Sequence, residues 1–97
     1  QFDADTDLTA TMKAGAMGDI QGEKADFDAA ISSYRKAVDR AGDNYLLAGY
    51  YLNKLGLLLR NQGRNEEALE AFQRLKQDFG QSPAAADAYK YIGLFGQ

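Results

Sequence analysis

The sequence has neither histidine nor cysteine, so its candidates for chemistry are carboxylates, glycines and tyrosines. Asp3, Asp5 and Asp7 alternate as the first ligands of a calcium loop do. The rest of that loop is missing, because Leu8 stands where a turn glycine belongs and Ala14 where the bidentate glutamate belongs. The triplet therefore reads as a solvated tail leading into the positive end of a first helix. Glu66 and Glu70 are paired at one-turn spacing, but they lie opposite Ala68, Leu69 and Phe72 and read as a solvated helix face. Gly15, Gly18 and Gly22 do not have phosphate-loop spacing, and no Lys-Ser or Lys-Thr follows them. They read instead as close helix packing at Gly18, in a hairpin softened by up to about 1 kcal/mol per glycine. Six tyrosines could stack on bases, but a stacking platform needs a basic groove, and the net charge here is -3. With no Gly-x-Ser-x-Gly elbow either, no tuned acid, base, nucleophile or metal site is expected. The expectation is a non-enzyme without cofactor, metal or nucleic-acid partner.

Positioning falls to a small domain. Ninety-seven residues, 45% apolar and 26% charged with one proline, suit a single folded domain. A core of that size is marginal enough to be completed by neighbouring sequence. The absence of cysteine is compatible with the cytoplasm or an exported compartment. The longest apolar run, around Leu57 to Leu59, is far short of the roughly 20 residues of a membrane span. The chain opens on Gln1 rather than Met, and the expectation is a fragment of a longer protein, with a lost N-terminal anchor left open.

β-branched runs are missing, since Val38 is the only valine and Ile20, Ile31 and Ile92 the only isoleucines. Apolar residues recur at helical spacing instead, and five helices are predicted at about 7–22, 26–41, 45–62, 65–79 and 82–95. Asp26 and Asn65 are the expected N-caps of the second and fourth helices, with Glu66 and Glu67 favouring the dipole of the latter. Gly42 and Gly80 fall where left-handed C-terminal residues belong, and Ser82-Pro83 reads as the start of the last helix.

Residues 18 to 37 align with 56 to 75 at an offset of 38, placing Gly18 on Gly56, Ala30-Ile31 on Ala68-Leu69, and Tyr34 on Phe72. Each copy reads as a helix hairpin in which a small residue allows close approach and an aromatic fills the gap. A period of this size indicates a solenoid. Leu55, Leu59, Ala68, Leu69 and Phe72 are predicted at the centre of the core, with Tyr34 and Tyr89 also inside.

Leu55-Gly56 followed by Ala68 and Phe72 resembles the tetratricopeptide repeat signature, with Leu52 and Leu59 on its other large first-helix positions. Met17-Gly18, Ala30, Tyr34 and Ala37 repeat it, although Ala14 and Gln21 stand where bulky residues are usual. The resemblance implies an all-α domain of TPR-like antiparallel hairpins: a first repeat over about 7–41, a second over about 45–79 and a capping helix over about 82–95, in a right-handed superhelical array. The run Tyr51 to Leu57, then Gly63 to Leu75, Gln81-Ser82-Pro83 and Lys90-Tyr91-Ile92, is similar to the C-terminal periplasmic part of inner-membrane-tethered TPR proteins of Gram-negative bacteria. That similarity implies a periplasmic location, with any membrane attachment through a removed N-terminal anchor.

In such an array the first helices line a concave groove able to hold a partner's extended segment or helix. By register the groove carries Met12, Gly15 and Asp19 from the first helix, Tyr50, Asn53, Leu57 and Arg60 from the third, and Asp87 and Tyr91 from the last. Tyrosine and arginine are common interface anchors. The expected function is a protein-protein interaction scaffold in the bacterial cell envelope. Homo-oligomerisation through terminal repeats is the alternative.

Overall fold

The computed structural model describes residues 3–95, with side chains described from Leu8 onward. Five helices follow one another: α1 Asp3–Glu23, α2 Phe27–Ala41, α3 Tyr45–Asn61, α4 Asn65–Asp78 and α5 Ala85–Phe95. No strand occurs among the described residues. The fold is all-α, as expected. Each helix packs on the next, and α5 also touches α3, so α1–α2 and α3–α4 form hairpins and α5 closes the second.

Several termini differ from expectation. The backbone is already helical at Asp3, so the expected tail over Asp3, Asp5 and Asp7 is part of α1. Side-chain readings at these three residues lie outside the described residues. Asp26 is at the N-cap of α2 but makes no side-chain cap bond. Asn65 is the first residue of α4 rather than its cap, and Arg64 holds the N-cap position. Arg64 turns its guanidinium onto Glu67, with Nε 2.8 Å from Oε1 and Nη2 3.0 Å from Oε2. Asn44 is the residue that caps through its side chain, accepting the Leu47 N–H at 3.2 Å.

Gly42 has a positive φ of 55 but a ψ of -120, so it departs from the left-handed helical geometry expected of it while still calling for glycine, and Gly80 has no positive φ. A Cβ on Gly80 would stand 2.7 Å from the Lys76 carbonyl oxygen, so close backbone approach is what calls for glycine there. Ser82 does not cap the last helix. Its hydroxyl donates to the Phe79 carbonyl at 2.7 Å, and regular helix starts only at Ala85.

Repeat symmetry extends into the turns. α3 ends at left-handed Gly63 (φ 75), with the Arg64 N–H on the Leu59 carbonyl at 2.9 Å. α1 ends at Ala25 (φ 62), with the Asp26 N–H on the Gln21 carbonyl at 2.9 Å. Both turns are the same helix-ending motif, one built with the residue it favours and one without.

The core follows the hairpins. Ala30, Ala37, Leu59, Ala68, Phe72 and Leu75 are fully buried, and Leu52, Leu55 and Tyr34 nearly so. Burying each large side chain is worth about 1.5–3 kcal/mol. Two expectations fail. Leu69 is only half-buried, whereas its counterpart Ile31 is buried. α2 lies between two long helices, while α4 has only the 11-residue α5 on its far side. Tyr89 is 56% exposed, because no described helix covers the side of α5 it occupies.

Candidate interaction face

The odd-numbered helices come together along one face. Its first cluster joins α1 to α3. The Lys54 ammonium stands 2.9 Å from Oδ1 of Asp19, and the Tyr34 hydroxyl donates to the same carboxylate oxygen. Lys54 also lies 5.0 Å from the Tyr50 ring centroid and 5.9 Å from that of Tyr34. Tyr51 meets Tyr50 edge-on at 5.0 Å.

Electrostatics bind this cluster. Burial pushes the Asp19 carboxyl up, but the bonds from Tyr34 and Lys54 outweigh it and hold it below its ordinary value. Burial, then the bond to Asp19, pushes the Tyr34 hydroxyl up. For Lys54 burial acts downward, and the bonds to Asp19 and Tyr50 reverse it, so the ammonium is held above its ordinary range. All three groups keep fixed charge states at neutral pH. Nothing among them is tuned to exchange a proton there, so the arrangement is a clamp between helices rather than an acid–base pair.

The second cluster joins α3 to α5. Asn53 Nδ2 donates to Asp87 Oδ2 at 3.2 Å, while Asn53 Oδ1 is buried without a hydrogen-bond partner. The Arg60 guanidinium lies 5.2 Å from the centroid of Tyr91, whose ring also stacks on Phe72 at 5.0 Å. Leu57, half-buried, lies between these two contacts in sequence and register.

Direct contacts pair Asn53 with Asp87 and Arg60 with Tyr91 between α3 and α5, while Asp19 on α1 bonds Lys54 of α3 and Tyr34 instead. Tyr50 is 49% exposed and Met12 54% exposed. Gly15 departs from expectation: it is buried, and a Cβ there would collide with the Tyr51 ring. A tyrosine covers it, so it offers nothing to a ligand. Tyr91 is shared between the face and the core through Phe72.

Lys54 and Tyr51 belong to the cluster and were not singled out in the sequence. The available signal was a lysine three and four residues after a tyrosine pair, opposite an aspartate on the neighbouring first helix. Among the described residues there is no group of three or more His, Cys, Asp or Glu able to hold a metal ion. No helix there is long and apolar enough to cross a membrane.

Residues 16–86, and separately residues 55–95, match a family model described as Tetratricopeptide repeat. The second match begins 39 residues after the first, close to the internal offset of 38. No curated protein and no solved structure matches the chain.

Proposed function

The chain belongs to the tetratricopeptide repeat family, generally a non-catalytic interaction module, and we propose that it holds a partner protein segment in a concave groove floored by α1, α3 and α5. The observation that carries this reading is the exposure on that face of Tyr50 and Arg60, which no core contact requires. Tyr50 is half-exposed, Arg60 is exposed, and both lie in one stripe of α3 with Asn53 and Leu57. Asp19, Asp87 and Tyr91 extend the stripe onto the neighbouring first helices. Tyr50 and Arg60 are the anchors in this reading. The similarity of Tyr51–Leu57 and Gln81-Ser82-Pro83 to periplasmic tethered proteins supports a place in the cell envelope.

The test is a binding assay against an identified partner with two double variants. Tyr50→Ala with Arg60→Ala should weaken binding by at least about 2 kcal/mol and leave the fold intact. Glu66→Ala with Glu70→Ala, on the second-helix side, should not. The reverse pattern moves the binding surface to α2 and α4. Self-association is supported as a second reading by Met12, Met17 and Ile20 on α1, each about half-exposed. Light scattering on the purified chain separates the two: a monomer at all concentrations removes the second.

A further inference from the structure

The cations of the chain fall into two groups. Arg35, Lys54, Arg64 and Arg74 are in ion pairs, and Arg60, Lys76 and Lys90 lie over aromatic rings. Lys13, Lys24, Lys36 and Arg40 have neither kind of partner among the described residues, and all but Lys24 line one slot between α1 and α2. The slot holds about 220 Å³, Ala14 and half-exposed Met17 give it an apolar lining, and no carboxylate lines it among the described residues. Acids that accompany such cations in the second hairpin are replaced in the first: at the offset of 38, Glu67, Glu70 and Asp78 of α4 correspond to Ala29, Ser32 and Arg40 of α2. Arg74 thus meets Asp78 at 3.6 Å, while its counterpart Lys36 faces Arg40 one turn on. Asp39, next to Arg40 in sequence, lines the opposite seam against α3 and α4.

Nor does the slot copy the surface on which the fold stacks its hairpins. On α3 that surface receives α1 and α2 through Tyr51, Leu52 and Leu55, which are 7%, 2% and 3% exposed. At the matching positions α1 has Lys13, Ala14 and Met17. A hairpin stacked there in the same way, of this chain or another, would bury the Lys13 ammonium without a partner and leave a void over Ala14. An occupant of this slot has to bring carboxylates.

We propose that the slot binds a short acidic segment of a partner polypeptide in which carboxylates flank one aliphatic side chain. The aliphatic group enters over Ala14 beside Met17, and the carboxylates reach Lys13 on α1 and Lys36 with Arg40 on α2. Charge complementarity selects this occupant. A nucleic acid or an anionic membrane is repelled over its length by a chain of net charge -3, whereas a short segment meets chiefly the local cations. Inorganic phosphate gains nothing from the apolar lining. The slot is distinct from the groove, because Met17 and Lys13 lie about 160° and about 120° around α1 from Asp19. The two methionines divide accordingly: Met17 lines the slot, and Met12 is within about 20° of Asp19.

The experiment titrates the whole chain, with its methionine methyl groups isotope-labelled for NMR, with an end-capped peptide of sequence Glu-Glu-Leu-Glu-Glu. A saturable shift of the Met17 methyl is expected, with the Met12 methyl unmoved. Lys13→Glu with Lys36→Glu should weaken binding at least tenfold, and helical circular dichroism should be unchanged because both side chains are exposed. Lys24→Glu with Lys76→Glu makes the same change in net charge outside the slot and should bind as the parent chain does. Tyr50→Ala with Arg60→Ala should also bind normally, whatever becomes of the groove. A peptide with serine in place of leucine should bind several-fold more weakly. The proposal is overturned by an absence of saturable shift at Met17, by movement of Met12 alone, by equal losses in the two charge-reversed pairs, or by undiminished binding of the serine peptide. A DNA pentamer of the same charge that moves Met17 at the same concentration also overturns it, by making the slot a general anion site. A Met17 shift that follows protein concentration without peptide, and vanishes in Lys13→Glu with Lys36→Glu, overturns it by giving the slot to a second copy.

Discussion

Gly56 lies so close under the Phe72 ring that a Cβ on it would stand 2.7 to 3.0 Å from three of the ring's atoms. Phe72 is completely buried, so its ring has little room to withdraw. Gly56→Ala gains up to about 1 kcal/mol in helix propensity. Overpacking of this kind costs about 1–3 kcal/mol. The net expectation is destabilisation, read as a lower urea midpoint with an unchanged slope. Gly18→Ala meets Tyr34 in the same way, at 2.7 and 2.8 Å, and should move the midpoint in the same direction. An increase in stability in both variants would mean that the rings do not rest on the glycines.

These glycine–ring pairs were legible in the sequence because both members recur at one fixed offset. Burial of Phe72, Leu55 and Tyr34 followed from that register. Tyr89 and Leu69 were misplaced for a related reason: register says which way a side chain points along a helix, but burial needs a neighbouring helix to be there. Helix ends were less legible. Asn44 rather than Asn65 caps with its side chain, and the carboxylate of Asp26 accepts no cap bond, because which polar side chain meets a free N–H depends on the turn conformation. The Asp19–Lys54 contact joins residues 35 apart in the chain, and no local pattern announces such a pair.

Phe72 and Leu69 lie on one helix and differ in burial, so they test the packing directly. Phe72→Ala should cost about 3–5 kcal/mol and Leu69→Ala clearly less, since the cavity and transfer penalties scale with what was buried. Equal losses in chemical denaturation would contradict the difference in exposure.

Ala25 stands at φ 62 where the second hairpin has glycine at φ 75. Residues with a Cβ are strained in that region, and glycine is not. A Cβ there is tolerated only because the turn's hydrogen bonds hold it. Ala25→Gly should therefore raise stability by a few tenths to about 1 kcal/mol, less than the strain alone because glycine also loosens the unfolded chain. A fall in the denaturation midpoint would place the helix end elsewhere.

The Asp19 clamp makes stability depend on pH at both extremes. Asp19 titrates below its ordinary 3.8 when folded, so its contribution is complete above that value and is lost as pH falls through 3.8 towards the folded value. Tyr34 and Lys54 are held above their ordinary 10.0 and 10.5, so their contributions are complete below about pH 10 and are lost as pH rises beyond it. Glu67 is also held low, chiefly by its bond from Arg64, so some acid sensitivity remains without Asp19. Asp19→Asn removes the carboxylate while keeping the side chain's shape. At neutral pH it should be less stable than the parent chain. The gap should narrow as pH falls below 3.8, where the unfolded chain's carboxylate takes up a proton that the folded one resists, and narrow again above about pH 10.5, where Tyr34 and Lys54 lose the partner's advantage. The side chain of Asp19 is 44% exposed, so added salt should also shrink the neutral-pH gap. Urea midpoints of both proteins across this range decide it. A constant gap from acid to alkali would show that Asp19 acts through packing and not through its charge.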